Sequence, residues 1–520
     1  MSGLPFGKPE KRGKMKNGFL KITALALSAG LSLSMSFACG STSANESKPQ
    51  ESSSETNEEV SMPSGAPDYS SSSKSLDMYA YICPTNGEYV TENGIKVTQD
   101  SFKTKERFSE YKNCGFSTLL CLGNGDAWLG NGDFETSAAK LNLDLCLETG
   151  LKCIVMDHRI YDLSCERQSL IGEEKKFPTK EALKSALEGY MAPYLDHPAF
   201  YGLEFKDEPT YDNFDAIADL YEVLREIKPD IYVNCVMLPY TENAQSRFTD
   251  DVSLVGKTAY RDYVEKYLSK TSSGYFDYDD YPFMYEKDNR KVASFKTSYL
   301  SNLQLVAQEA AKQNADFYLT LQSYTSTKSS KMMKREMTLA DFYYQINAGF
   351  AFGAKDFRYY TYWQFPSAGD PSSKAIMSHK GEKQYYDMVQ KVNADAEKQA
   401  KVLLNYDYVS TIALGDDNDY PRHFAGIKSA DEAEFGIKVT ASRGTIFNKL
   451  HDDDKNIDGY YVFNGEDPAD EFSSEVSLEF KGYNYVAVYK NGEAKYYKLN
   501  SGKYYAELGS GDGIFVVPVK

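Results

Sequence analysis

Basic charge is scarce in this sequence. Its 520 residues hold 58 Lys and Arg against 75 Asp and Glu, a formal net charge of -17. Nucleic acid is therefore not expected as a partner, because phosphates call for clustered Lys and Arg. Histidine numbers 5 and shows no HExxH-type spacing, so no metallohydrolase is expected and no metal or other cofactor is assigned. Cysteine numbers 8, with no CxxC pair and an odd seven after Cys39. Neither a zinc site nor a disulfide framework follows. Cys83, Cys121, Cys153 and Cys235 fall inside apolar runs, where free thiols behave as small hydrophobes. Tryptophan is down to 2 residues while tyrosine reaches 42. Tyrosine offers a flat apolar face with a hydroxyl, which suits sugar rings and interfaces, although most of the 42 are expected to be ordinary half-buried side chains.

The N-terminus has the form of an export signal. Lys8, Lys11, Arg12, Lys14, Lys16 and Lys21 flank "ITALALSAGLSLSMSFA", too short for a comfortable membrane span, and the run ends at Cys39-Gly40. The Ala38-Cys39-Gly40 junction resembles a bacterial lipoprotein signal over residues 1–39, which makes Cys39 the expected lipid anchor on an extracellular membrane surface. Ser36 stands where such signals favour Leu, and Met15 opens a more usual "MKNGFLK" start. Residues 40–76 are rich in Ser and Glu and nearly free of apolar side chains, so a disordered tether is expected there.

From residue 77 short apolar runs recur, "MYAYICP", "STLLCL", "KCIVMD", "YGLEFKDEP", "IYVNCVMLP", "GYFDYDDYP", "FYLTLQSY" and "FRYYTYWQF". Most are followed by a helix-period segment such as "NFDAIADLYEVLREI". Alternating strands and helices imply a parallel sheet. Eight units over residues 77–407 fit an α/β fold of the (β/α)8 TIM barrel class. A doubly wound sheet would want a Gly-rich phosphate turn after the first strand, where "CPTNGEYV" stands. Beyond residue 407 the pattern becomes all-β. Asn491-Gly492 between "YNYVAVYK" and "EAKYYKL" predicts a two-residue hairpin, and residues 408–520 are expected to form a small sandwich-like domain.

In such barrels function gathers at the C-terminal ends of the strands. Those ends carry Asp157 and His158, Asp207 and Glu208, Asn234, Asp279 to Pro282, Gln322 to Tyr324, and Trp363. Acids, amides and aromatics around one cavity suit a polyol or sugar: partners for hydroxyls, flat faces for C–H surfaces and carboxylates for bond cleavage. The expected substrate-binding set is Asp157, His158, Asn234, Tyr281, Gln322, Tyr324 and Trp363. Trp128 joins it from the Gly/Asn loop "GNGDAWLGNGD". The acidic stretch "HDDDKNID" lacks the central Gly and closing Glu of a calcium loop and is expected to be a solvated hairpin.

Strand order, tail and the Asp207-Glu208-Pro209 tripeptide together resemble the (β/α)8 glycoside hydrolases of the Asn-Glu-Pro clan (clan A). The resemblance implies that Glu208 is the general acid/base, with Asp207 in place of the usual Asn, and that carbohydrate is the substrate. It also exposes a departure: Gln322 stands where the clan carries its nucleophile Glu, and an amide cannot serve. Three outcomes follow. A second carboxylate comes from elsewhere, with Asp280 ahead of Asp157. Alternatively, Asp207 orients a 2-acetamido group in substrate-assisted, hexosaminidase-like cleavage. In the third, the site binds glycan as a non-catalytic surface lipoprotein.

Overall fold

The computed structural model describes residues 57–520, apart from 86–87, 91–95, 99–100, 123–125, 287–288, 327–332, 365–372 and 416–419. The expected signal segment, Cys39, most of the expected tether and part of the loop before Trp128 lie outside the described residues.

The chain is mixed α/β, with a sheet-rich C-terminal part. Eight parallel strands are counted here along the chain. The first to fourth are Tyr79–Ala80, Thr118–Leu120, Lys152–Val155 and Phe200–Glu204. The fifth is Tyr232–Asn234, continuing at Val236–Met237, and the sixth to eighth are Tyr275–Asp279, Asp316–Gln322 and Asp356–Tyr360. They form a four-stranded sheet in the order second, third, fourth, fifth, and a five-stranded sheet in the order fifth, sixth, seventh, eighth, first. The fifth strand serves both, because its halves on either side of Cys235 pair with the fourth and the sixth. The first and second strands are joined by bonds from the Ser117 and Thr118 N–H groups to the Met78 carbonyl, at 3.0 and 3.3 Å.

Strands covered on both faces have no wet side, so they read as apolar runs; Leu119, Leu120, Cys153, Ile154 and Val155 are all fully buried. Gly202 in the fourth strand is required by space, since a Cβ there would lie 2.2 Å from the Tyr232 carbonyl oxygen. Helix Phe214–Ile227 buries Phe214, Ile217, Leu220, Tyr221 and Leu224, a stripe at helical spacing. Polar side chains fill the space between the strands: Arg358 is fully buried and meets Asp277 and Asp356, each at 2.9 Å.

The C-terminal part is antiparallel. Asp407–Leu414, Thr445–Asp452, Ile457–Asn464, Gly513–Val519, Tyr485–Lys490 and Glu493–Lys498 make six of the seven strands of one sheet. Lys438–Ala441, Ser474–Glu479 and Lys503–Leu508 make a second sheet. Alternation along the strands separates two cores. Tyr460, Val462, Ile514 and Val516 pack in the smaller core with Val476 and Leu478 of the three-stranded sheet. Tyr461, Phe463, Phe515 and Val517 join the main core. Asn491 and Gly492 both take positive φ (49° and 79°), as a type I′ hairpin turn requires. The "HDDDKNID" stretch is likewise a hairpin, closed by His451 to Asp458 at 2.7 Å.

Residues 57–76 depart from the expected tether. Glu58–Val60 is the seventh strand of the large sheet, paired with Tyr496 to Lys498, and Tyr69 is buried with its hydroxyl against Tyr406 (2.7 Å) and Asp452 (2.9 Å). Adding a strand to an open edge uses backbone groups alone, so a segment poor in apolar residues can dock without a core of its own.

Candidate active site

The fourth strand ends at Glu204, before the two acids that close its sequence run. Glu204 is almost wholly buried and accepts a hydrogen bond from the Asn234 side chain. Burial, then the nearby Asp207 and Asp277 charges, push its carboxyl well above the ordinary range. Asn234 also accepts from the Tyr79 hydroxyl (2.5 Å) and donates to the Tyr81 hydroxyl (2.9 Å). These groups form a floor between the strands.

Beyond the floor the chain bends. Asp207 and Glu208 lie in the bend, Glu208 at φ +47°, a left-handed conformation uncommon outside glycine. The bend is pinned by Lys206 N–H to Ser164 Oγ (2.9 Å), Glu208 N–H to the Val236 carbonyl (2.9 Å) and the Tyr263 hydroxyl to the Pro209 carbonyl (2.6 Å). A regular strand would send neighbouring side chains to opposite faces. Here the alternation is broken, and both carboxylates act on Asp279 and Tyr360. Water reaches Asp207, yet the surrounding protein mass, followed by the Glu208 charge, pushes its carboxyl up to about 6. Glu208 has Arg247 Nη2 at 3.4 Å from both its carbonyl and Oε2.

The sixth strand ends with two adjacent aspartates, and the structure separates them. The Glu208 and Asp207 charges act on Asp279. Burial first, then those two charges, push its carboxyl well above the ordinary carboxylate range, and a bond from the Tyr281 side chain offsets only part of this. Its Oδ1 is buried without a hydrogen-bond partner among the described residues. Asp280 points away: it is fully buried in an ion pair with Lys296 and accepts from Asn302 Nδ2 at 2.8 Å on helix Tyr299–Lys312. The expectation that Asp280 faces the carboxylates is therefore corrected. Period-two alternation is the cause: Asp277 and Asp279 share the inner face, while Tyr278 and Asp280 turn to the helices.

Tyrosines wall the recess. The rings of Tyr281, Tyr324 and Tyr360 lie 5.2 to 5.8 Å apart, with Tyr81 5.9 Å from Tyr360. Burial, then Asp207, Asp279 and Glu208, push the Tyr360 phenol up to about 12. Tyr161 is pushed up to about 12 by burial and then by Cys165, Glu204 and Asp207, and His158 lies beside it at 6.2 Å.

Four expected binding residues do structural work instead. Gln322 is fully buried and clamps Phe283, accepting from its N–H (3.1 Å) and donating to its carbonyl (3.0 Å). Trp363 is fully buried against Phe102 at 4.8 Å. Trp128 is buried against Phe134 at 5.2 Å. Asp157 caps helix His158–Ser164 and is held by Arg159 (2.6 Å) and the Tyr194 hydroxyl (2.9 Å), which also removes it as a second catalytic carboxylate. Tyr81, Tyr161, Arg247 and Tyr360 were not singled out by the sequence. Tyr360 is the last residue of its strand, Asp356–Tyr360, and could have been found by the same strand-end rule.

No protein-family model matches the sequence, and no curated protein matches it. Among solved structures the chain is similar to a GH42 β-galactosidase from Geobacillus stearothermophilus, with 9% identity, 86% of this chain and 99% of that chain covered, and a TM-score of 0.47. It is also similar to an Anoxybacillus α-amylase (11%, 86% and 98%, TM-score 0.46). A third is a GH27 β-L-arabinopyranosidase from G. stearothermophilus (9%, 87% and 97%, TM-score 0.45).

Proposed function

We propose that the eight parallel strands close into a (β/α)8 barrel and that the protein is a glycoside hydrolase working at their C-terminal ends. One observation carries the reading: three carboxyls from two strand ends, Asp207, Glu208 and Asp279, are set against one another under a wall of tyrosines. Neighbouring anions disfavour each other, most strongly at Asp279 with its buried Oδ1, so the proton of the group is held most tightly there. A proton held beside a negative charge is what glycosidic bond cleavage needs.

The roles follow from environment. Asp279, half-buried and without a bond to its buried Oδ1 among the described residues, is the proton donor to the glycosidic oxygen. Glu208, beside Arg247, supplies the negative charge opposite it, as nucleophile or as base toward water. The expected acid/base assignment to Glu208 is thereby narrowed to its anionic half. Asp207 shares the proton and sets its affinity. Tyrosine faces carry the sugar's C–H surface. The basic–apolar leader and Cys39 support export and lipid anchoring at the cell surface, which loss of radiolabelled palmitate in Cys39→Ala would test.

A second reading is favoured by the bend itself, which turns Asp207 and Glu208 toward the same recess: Asp207 could then orient a substrate acetamido group. The test is a panel of aryl glycosides and labelled oligosaccharides, α and β, neutral and N-acetylated, incubated with the full chain at pH 5 to 7. Release of sugar from at least one substrate supports the hydrolase, and release only from acetamido sugars selects the second reading. Binding without release from any of them would overturn both.

A further inference from the structure

Tyr263 is fully buried on helix Lys257–Thr271 and has no part in the proposed chemistry, yet its hydroxyl joins two strand ends. It donates to the Pro209 carbonyl at 2.6 Å, one residue past Glu208. It accepts from the Leu238 N–H at 3.4 Å, one residue past the fifth strand. Pro209 is buried, so its carbonyl needs a donor, and this hydroxyl supplies it. The Thr210 N–H bond to Asn213 Oδ1 (2.9 Å) is local to the next turn, so Tyr263 ties the C-terminal side of the bend to another element.

The ring of the same residue does separate work. It packs against Phe214 at 5.0 Å, Phe248 at 5.4 Å and Tyr260 at 5.8 Å. Phe248 is fully buried and ends the short helix Gln245–Phe248, directly after Arg247. The Arg247 side chain is 42% exposed and packs little itself, so the buried Phe248 fixes where it stands. From there its Nη2 lies 3.4 Å from both the carbonyl and Oε2 of Glu208. One tyrosine thus acts on Glu208 from two directions, through the carbonyl of the next residue and through the guanidinium at its carboxylate.

Such holding matters because Glu208 sits at φ +47°. A non-glycine residue in the left-handed region carries strain, which persists only where the surroundings over-determine the backbone. We propose that Tyr263 is a positioning residue for Glu208, its hydroxyl fixing the left-handed bend and its ring seating Arg247 against the carboxylate. The inference rests on the hydrolase reading for its catalytic meaning, though not for its geometry.

The test uses the full chain carrying Tyr263→Phe, which deletes the hydroxyl and leaves the ring. Hydrogen exchange of the peptide over residues 205–210, read by mass spectrometry, should run about tenfold faster, with exchange in the other parallel strands unchanged. On any hydrolysed alkyl glycoside kcat should fall about tenfold with KM within about twofold, because a displaced group loses alignment rather than binding. A merely structural tyrosine would lower stability and leave kcat of the folded protein alone. Exchange over 205–210 unmoved in Tyr263→Phe, or kcat within about twofold of the parent, overturns the proposal. Arg247→Met, an exposed change that spares the fold, tests the ring's share: kcat should fall about threefold, with partial recovery in Arg247→Lys. An unchanged kcat in Arg247→Met overturns that share, and this variant decides alone if Tyr263→Phe does not fold. Faster exchange in a Tyr263→Phe protein whose parent hydrolyses no glycoside upholds the hold on Glu208 and rejects the hydrolase.

Discussion

Asp77, two residues before the first strand, and Asp279, at the end of the sixth, are the same side chain in two electrostatic settings at opposite ends of the parallel strands. Asp77 accepts from Lys152 Nζ (2.6 Å), the Ser117 hydroxyl (2.5 Å) and the Thr118 hydroxyl (2.7 Å). Burial works against its ionisation, but these bonds outweigh it and hold its carboxyl below the ordinary range. A cavity of about 500 Å³ opens at this end, lined by Asp77, Asp316, Asp356 and Asp407 with Lys74 and Lys355. Besides Asp77, two of its acids have cations in contact, Asp407 with Lys355 at 2.8 Å and Asp356 with Arg358 at 2.9 Å. Asp279 sits instead among acids and phenols, with its carboxyl pushed above the ordinary range by burial and by the Glu208 and Asp207 charges. Asp77 is satisfied by its three donors and holds the fold. Asp279 stands among like charges, which costs stability and keeps a proton available.

The sharpest way to break this contrast is Glu208→Gln, which keeps shape and removes the anion. Turnover should fall about a thousandfold on every substrate, the scale of a lost acid, base or nucleophile. A loss confined to KM would move Glu208 out of the chemistry. Asp280→Asn should behave like a strand-start residue despite its address. It leaves Lys296 beside a neutral amide and should cost about 2–3 kcal/mol in denaturant unfolding, with kcat down less than about tenfold.

Stability against pH separates the two ends by sign. Asp77 has a lowered folded-state pKa, so its contribution is present above the unfolded carboxylate range near 4 and is lost as pH falls through the lower folded value. Asp207, raised to about 6, contributes stability present below about 4 that is lost as pH rises through 6. Asp77→Asn should therefore destabilise the protein at pH 7 and become neutral in acid. Asp207→Asn should gain stability relative to the parent between pH 4 and 7. Urea midpoints across pH check both, and equal slopes in the two variants would erase the contrast. The smallest effect expected is that of Tyr360→Phe, about three- to tenfold in kcat, as for one hydrogen bond of about 1 kcal/mol near the reacting groups. A larger fall would make the phenol a catalytic group.

Much of this was legible in the sequence. Eight apolar runs are the eight parallel strands, and the Asn491-Gly492 turn is a hairpin. The errors have physical causes. Choosing Asp280 over Asp279 ignored strand parity, which Asp277 and Arg358 already implied by sharing the inner face. Gln322, Trp363, Trp128 and Asp157 stand at strand ends or in the loops beyond them but are consumed by packing and capping, and position alone does not tell a satisfied amide from a free one. Residues 57–76 looked like tether because strand pairing leaves no composition signal. The left-handed bend at Glu208, which lets two neighbouring acids face one recess, comes from tertiary bonds to Val236, Ser164 and Tyr263 that no local pattern carries.

The account's central claim is that Asp279 delivers the proton. It is tested most directly by comparing Asp279→Asn with the parent on two glycosides of the same sugar, one with a poor alkyl leaving group and one with a dinitrophenyl group that departs without protonation. The account predicts a loss of about a hundred- to ten-thousandfold on the first and less than about tenfold on the second. Equal losses on both substrates, or full activity on the alkyl glycoside, would contradict it.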